Sequence, residues 1–454
     1  MREPLSKKSL WITVVIVFTV TFAFNLFSTA FFYFNFGTWT FDLAIFTQVQ
    51  QDYIHFREAT TSLLGNTEVN IMGNHFSPLL VLLAPIFALF PYAFTLNVIQ
   101  VVCFGIGASM LAYHSARYFK RMSVGIFLGL GLGLSWGFMD GAIAQFHEYA
   151  VGVPLLVLGL IYFMDGRFKA ACFALAPLVF LKEDMGLILA GLGVAMAIRD
   201  RKWRWLLLSV WGCVWTILAA KVLIPFAAKG GYSLGENLTF DFNVFLKYGE
   251  DKIILILFLA ATAGFIGVAS PLIIGILPIV LVRSFTDWPS YVALGYQYNI
   301  LLVVICVFAL YDSLRRYPLR LWIKKIALVT PVALTILLYF TNQGGWLIRN
   351  WGYIAERSAL INEAISEIPA GASVGAMGDT VNRLVDDHPV YYMRYWEILD
   401  PKPDCFLMTS ENITGPMGEK LYTIDEALEM TDIHYTKLFD QNDVVLYCKD
   451  SVLE

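Results

Sequence analysis

The stretch LLVLLAPIFALFP, residues 79–91, decides how the rest of this chain is threaded. It is apolar throughout, but it falls well short of the roughly 20 residues that a straight helix needs to cross a bilayer. It also holds Pro85 and ends at Pro91. If it spans, four basic clusters after later apolar runs fall outside: Arg117, Lys120 and Arg121; Arg167 and Lys169; Arg199, Arg201, Lys202 and Arg204; and Arg315, Arg316, Arg320, Lys324 and Lys325. That inverts, at four loops, the preference of lysine and arginine for the cytoplasmic side. If it dips in or lies at the surface, all four loops become cytoplasmic. Its length favours this second reading, a re-entrant or interfacial element.

Around this pivot the apolar runs fall at 10–33, 94–116, 123–138, 150–164, 168–181, 185–198, 203–224, 253–269, 271–284, 298–313 and 326–342. Read as eleven spans, they place the N-terminus inside, with Arg2, Lys7 and Lys8, and the C-terminus outside. The run 10–33 has no small-residue cleavage site after it and reads as a spanning helix rather than a cleaved signal. Several other runs are short for a span, so their ends must be wet, tilted or buried against neighbours. Composition agrees: 58% of the 454 residues are hydrophobic and 15% charged, with a mean hydropathy of +0.63. That excludes an ordinary soluble domain. A net charge of −4 gives no sign of a nucleic-acid partner.

After about residue 343 the character changes. The runs ASVGAM, PVYYM, DCFLM and DVVLYC read as strands, preceded by an amphipathic helix over roughly 354–368. The expected organisation is a helical membrane domain, 1–342, whose first outer loop (35–77) carries a surface helix, and an extracytoplasmic α/β domain, 343–454. Cys405 and Cys448 fall in that second region, and a disulfide between them fits an oxidising exterior, though spacing alone does not fix it. Cys103, Cys172, Cys213 and Cys306 lie in apolar runs and read as small buried residues. Asn237-Leu-Thr and Asn412-Ile-Thr match the glycosylation pattern.

Four polar clusters sit at the ends of apolar segments, all on the outer side in this topology, and charge beside lipid usually marks a site. Asp42 opens a stretch with helical apolar spacing; it reads as a helix N-cap or as a general base. His75, in GNHFSP, could bind phosphate or orient a hydroxyl, while Asn74 or Ser77 could simply cap the segment that Pro78 opens. His147 and Glu148 precede a span, and Asp140 shares a face with His147 if that stretch is helical. Lys182-Glu183-Asp184 is the strongest signal. Three charges between short apolar runs must be solvated, paired or functional, and Lys182 could hold a phosphate that Glu183 or Asp184 orients. Lys221, before Pro225, reads as a second cation on that side or as a snorkelling lysine. No nucleotide-binding or hydrolase motif is present. An external enzyme without nucleotide needs a donor already activated at the membrane, and lipid-linked sugar phosphates meet that need.

The set FDLAIFTQ, NHFSPLL, FHEYA, LKEDMGL, AAKVLIP and IPAGASVGA resembles, over essentially the whole chain, an uncharacterised prokaryotic membrane-protein family (domain of unknown function, number two-zero-seven-nine). That family is similar to the GT-C glycosyltransferases, multi-span enzymes that take a sugar from a polyprenyl-phosphate donor. The resemblance implies a GT-C-like α-helical polytopic fold with Asp42 as base, His75, His147 and Lys182 near the donor phosphate, and surface helices in the first outer loop. Two departures stand out. The family pattern is closer to Asp-Phe-His-Pro-Glu-Ala where this chain has Gln145-Phe-His-Glu-Tyr-Ala, and a later His-Tyr pair is here Gln297-Tyr298.

The expected function is therefore an inverting transfer of a sugar from a polyprenyl-phosphate donor to an extracytoplasmic glycan, lipid or protein acceptor. No cofactor is called for, and the residues leave open whether a divalent metal joins Asp42 to Glu183. The rivals are a transporter or flippase for a lipid-linked saccharide, which one-sided charges and the lack of repeated halves disfavour, and a non-catalytic assembly protein.

Overall fold

The structure, a computed structural model, describes residues 3–38, 40–65, 68–229, 241–340, 344–410, 412–414 and 420–454, without the side chains of 344–348 and 379. The Asn237 sequon lies outside the described residues. In chain order the helices begin with α1 (Lys7–Phe34), α2 (Asp42–Ile54), α3 (Ala84–Leu89), α4 (Ala93–Phe119), α5 (Met122–Gly133), α6 (Trp136–Ile143) and α7 (Tyr149–Met164). They continue with α8 (Phe168–Leu175), α9 (Met185–Asp200), α10 (Leu206–Leu218), α11 (Ile224–Ala227), α12 (Phe242–Leu246), α13 (Gly249–Thr262) and α14 (Leu277–Ser284). The last are α15 (Ile300–Arg316), α16 (Leu321–Leu338), α17 (Gly344–Ser366), α18 (Gly378–Leu384), α19 (Ile424–Glu429) and α20 (Asp450–Leu453). The strands are β1 (Thr60–Thr61), β2 (Val69–Asn70), β3 (Val374–Ala376), β4 (Val390–Tyr392), β5 (Cys405–Met408), β6 (Asn412–Thr414), β7 (Lys420–Thr423), β8 (Tyr435–Gln441) and β9 (Val444–Lys449).

Two compact units result. The first comprises Met1–Ser28, Met72–Leu80 and Asn97–Asn342; the second comprises Thr29–Ile71, Val81–Leu96 and Gln343–Glu454. The chain passes between the units at 342/343, but most of the first outer loop, expected in the membrane domain, belongs with the C-terminal residues rather than with the helical bundle.

Six helical stretches among the described residues are long and apolar enough to cross a membrane: Lys7–Phe34, Ala93–Phe119, Met122–Ile143, Trp203–Ala227, Gln297–Arg316 and Leu321–Leu338. Pro78–Leu89 is not among them. It is a 3-10 turn of 6 residues followed by α3, also of 6, with Pro85 in its first turn. At the centre of the first unit, α15 is buried from Ile300 to Leu314 on every face. A helix apolar all round belongs in a core, not at a lipid boundary.

Within this unit the helices run between two polar poles. At one, His114 of α4 bonds Asp165 after α7 at 2.9 Å and the Tyr311 hydroxyl of α15 at 3.1 Å. There Arg199, near the end of α9, donates to the fully buried Asp312 of α15 at 2.9 Å, and Ser270 donates to the other carboxylate oxygen at 2.7 Å. Arg315 stacks 4.0 Å from the Tyr118 ring centroid. The basic ends of α4, α7, α9 and α15 thus converge, as the four-loop argument from sequence requires. The starts of α7, α9 and α15 form the opposite pole, which carries the site described below.

Close packing holds that second pole in place. The helices α9 and α10 meet where Gly186 faces Gly212, and a Cβ on Gly212 would lie 2.2 Å from the Gly186 carbonyl oxygen. Backbone is the obstacle, so no side chain can move aside. Gly212→Val is expected to cost at least the roughly 1–3 kcal/mol typical of overpacking, read as a lowered melting temperature of the purified protein in detergent. An unchanged melting temperature would show that the helices do not meet this way.

In the second unit a five-stranded sheet has the order β4-β3-β5-β9-β8. Strand β3 is parallel to β4 and β5, whereas β9 is antiparallel to β5 and β8. Four of these strands match the runs ASVGAM, PVYYM, DCFLM and DVVLYC. Cys405 and Cys448 sit directly opposite each other on β5 and β9 and form a disulfide. The helix α2 is not a surface helix: Leu43, Ala44, Ile45, Phe46, Thr47, Val49 and Gln50 are buried. It is bound into the unit by Asn382 of α18, which accepts from the Ala44 N–H at 2.9 Å and donates to the Thr40 carbonyl at 2.7 Å. Phe41 stacks on Tyr392 of β4 with centroids 4.3 Å apart. Asp386 accepts the Ala93 N–H at 2.7 Å, which ties the segment before α4 to the same unit.

Candidate functional site

The turn Lys182-Glu183-Asp184 links the 3-10 segment Ala176–Phe180 to α9, and each of its side chains pairs with a different ionisable residue of the first unit. Lys182 Nζ lies 2.9 Å from Glu148 Oε1, with both side chains nearly inaccessible, and 5.0 Å from the centroid of the Tyr149 ring. Glu183 receives the His75 ring: Nδ1 lies 2.9 Å from Oε1, and the Phe76 N–H donates to Oε2 at 3.3 Å. Its main-chain carbonyl accepts from the Thr216 hydroxyl of α10 at 3.1 Å. Asp184 Oδ2 accepts from the Tyr149 hydroxyl at 3.1 Å and from Arg283 at 3.4 Å. Arg283, at the end of α14, also donates to the Tyr298 carbonyl at 2.7 Å and lies over that residue's ring.

Glu148 and Asp184 occupy the N-cap positions of α7 and α9, yet neither side chain caps its helix. An acidic N-cap normally accepts from the first turn. Here both carboxylates turn instead toward Lys182, Tyr149 and Arg283. One oxygen of each, Oε2 of Glu148 and Oδ1 of Asp184, is buried without a hydrogen-bond partner among the described residues. A buried carboxylate oxygen left this way is costly, and it offers an acceptor to a hydroxyl-bearing ligand.

The electrostatics follow from the pairing. Burial alone would lower the Lys182 pKa, but Glu148 outweighs it and raises the pKa well above the ordinary lysine value. Burial pushes the Glu183 carboxyl up, while His75 and Lys182 more than offset it and hold it below the usual range. For Asp184, burial wins over Arg283 and Lys182, and the pKa is raised. The starts of α7, α9 and α15 add their positive dipole ends to this pole.

The sequence brought several of these residues forward. His75, Glu148, Lys182, Glu183 and Asp184 are joined by the contacts above, within one unit. His147 is buried: its N–H donates to Gln100 of α4 at 3.0 Å, and its Nδ1 lies 3.1 Å from the Gln145 carbonyl of its own loop. Asp140 is buried on α6 and does not share a helix face with His147, because the stretch between them is not one continuous helix. The helix stops at Ile143, and Gln145 takes a left-handed φ of 69°. A non-glycine residue in that region signals a constrained loop. The Gln145 side chain helps fix it, accepting from Asn97 at 2.6 Å and donating to the Ile143 carbonyl at 3.0 Å. Lys221 is exposed, in the π-helical turn Ala219–Leu223, and makes no polar contact with the cluster, which favours the snorkelling reading.

Asp42 is the first residue of α2, not its N-cap, which is Phe41. It belongs to the second unit, whereas Glu183 belongs to the first. Among the described residues no three metal-ligating side chains gather to hold an ion. In the loop before the 3-10 turn Pro78–Leu83, Ser77 makes no side-chain hydrogen bond among the described residues, so the capping role considered for it is absent. Sequence reasoning missed Arg283, whose one signal was a lone arginine closing the run 271–284. It also gave no role to Tyr149 or to Tyr298, although both lie at its two departures from the family pattern.

No curated protein is similar enough to the chain to lend it an activity. A family model described as a predicted membrane protein matches residues 32–444, and the chain therefore belongs to the DUF2079 family that its motifs resemble.

Proposed function

We propose that this protein is a membrane glycosyltransferase of GT-C type that moves a sugar from a polyprenyl-phosphate donor to an extracytoplasmic acceptor. One observation carries the reading. Two buried cations, three carboxylates and a histidine gather at the helix-start pole of the first unit, away from the basic pole. Phosphate recognition calls for Lys182 and Arg283. The unpartnered oxygens of Glu148 and Asp184 suit sugar hydroxyls, and the rings of Tyr149 and Tyr298 suit an apolar sugar face. The basic pole supports a cytoplasmic side there under the positive-inside rule, which makes the site extracytoplasmic. With the segments at 149–164, 168–180, 185–200, 249–262 and 271–284 added to the six long stretches, the count of crossings is eleven. The disulfide supports an oxidising exterior for the second unit.

In this reading the acceptor hydroxyl loses its proton to Asp42, the role implied by the resemblance, and attacks the anomeric carbon with inversion. Lys182 and Arg283 stabilise the departing phosphate. Asp42→Asn is expected to lower transfer by about 10²- to 10⁴-fold, the usual contribution of a positioned base, with unchanged insertion. The assay offers proteoliposomes a panel of polyprenyl-phosphate-linked hexoses and pentoses with a cell-envelope extract as acceptor, and follows release of polyprenyl phosphate. Transfer by Asp42→Asn at the wild-type rate removes Asp42 from the mechanism. Translocation of a lipid-linked saccharide without any release favours a flippase instead.

A further inference from the structure

We propose that His75, oriented by Glu183, donates a proton to the phosphate as it leaves the sugar, an assignment that rests on the transferase reading above. Glu183 grips the His75 loop at two points, the ring Nδ1 and the Phe76 N–H. With its carboxylate ionised, Nδ1 must carry a hydrogen, and Nε2 is left as the working nitrogen. Among the described residues Nε2 has no hydrogen-bond partner. The imidazole is about twice as accessible as the carboxylate behind it, with side-chain exposures of 23% and 11%, so the carboxylate sits on the protein side of the ring. Gly73 fixes this loop from beneath, since a Cβ there would lie 2.7 Å from the backbone of Ala228.

Charge balance points the same way. Glu148, Glu183 and Asp184 face two fixed cations, Lys182 and Arg283, and the His75 ring is a further group at this pole that can carry a proton. As the acceptor oxygen bonds to the anomeric carbon, the bond from that carbon to the phosphate oxygen breaks and its electron pair stays on the phosphate. The Nε2 proton passes to that phosphate, which departs as a monoanion. The acceptor's proton goes to its base, and exchange with solvent resets both groups.

Glu183 is a positioning residue in this scheme, and His75 is the catalytic one. The test uses the full chain in nanodiscs with whichever donor of the panel supports transfer. His75→Gln should lower kcat by about 10²-fold or more with little change in KM, and added imidazole should partly restore His75→Ala. Glu183→Gln keeps a hydrogen-bonding group against Nδ1 but removes the carboxylate that fixes the tautomer, so it should lower kcat by a smaller factor than His75→Gln, with little change in KM. Transfer that survives His75→Gln overturns this proposal alone. A loss in His75→Ala that added imidazole does not restore also overturns it, since a merely structural role predicts that pattern. Absence of transfer by the wild type from every donor overturns the transferase reading and this proposal together.

Discussion

Lys182→Met should destabilise the first unit by about 3–5 kcal/mol, the usual result of removing one partner from a buried ion pair. The cause is not the lost attraction but the stranded partner. Glu148 is 1% exposed, and its Oε1 has Lys182 within 2.9 Å. Without the ammonium the carboxylate must either stay charged in a dry setting or take up a proton. Glu148→Gln in the same chain removes that charge and should recover much of the loss. The double-mutant cycle, read by denaturant unfolding in mixed micelles, should therefore show strong coupling between the two positions. Function should behave differently. The double variant regains stability but not transfer, because the cation proposed to hold the phosphate is still missing. If the single variant unfolds like the wild type, the pair is solvated and the site is not the dry cluster described here. If the double variant transfers sugar, Lys182 is a structural residue.

That separation of stability from function explains what could be read from the sequence and what could not. Charges at the ends of apolar runs are visible as composition, because burying them costs enough to demand a reason. Lys182, Glu183, Asp184, His75 and Glu148 announced themselves in this way, and each has a partner in the cluster. The short segment 79–91 was legible for a similar reason, since its length and prolines set a physical limit. Partners are another matter. Nothing in a linear string says that Glu183 faces His75 while its neighbours turn to Glu148 and Tyr149. Three consecutive residues in a turn point three ways, and only the packing of α7, α9 and α14 decides which. Arg283 escaped notice because an arginine closing an apolar run is expected to snorkel. A face shared by Asp140 and His147 required the stretch between them to be helical, and the left-handed backbone of Gln145 that interrupts it has no clear sequence signature. The place of the first outer loop in the second unit was hidden for a related reason. Apolar spacing in α2 signals burial, and it cannot distinguish burial against lipid from burial beneath β4 and α18.

Replacing both Cys405 and Cys448 with serine tests the second unit and the topology at once. The cysteines close a loop with a sequence separation of 43, for which chain-entropy arguments give about 4 kcal/mol of stabilisation. They also join β5 to β9, two interior strands of the five-stranded sheet, so their loss loosens the middle of the sheet rather than an edge. The double serine variant should unfold more readily, seen as rapid proteolysis of the C-terminal region in spheroplasts under conditions that leave the wild type intact. The redox side is independent of stability. A pair of this kind persists outside the cytoplasm and is reduced within it. In intact cells Cys405 and Cys448 should therefore resist a membrane-impermeant maleimide until an impermeant reductant is added, and then both should label. Cys306, buried in α15, should stay unlabelled throughout and serves as the internal reference. Labelling that requires permeabilised cells would put the sheet in the cytoplasm. The number of crossings would then be even, Pro78–Leu89 would return as a candidate span, and the extracytoplasmic site built on the four basic loops would lose its footing.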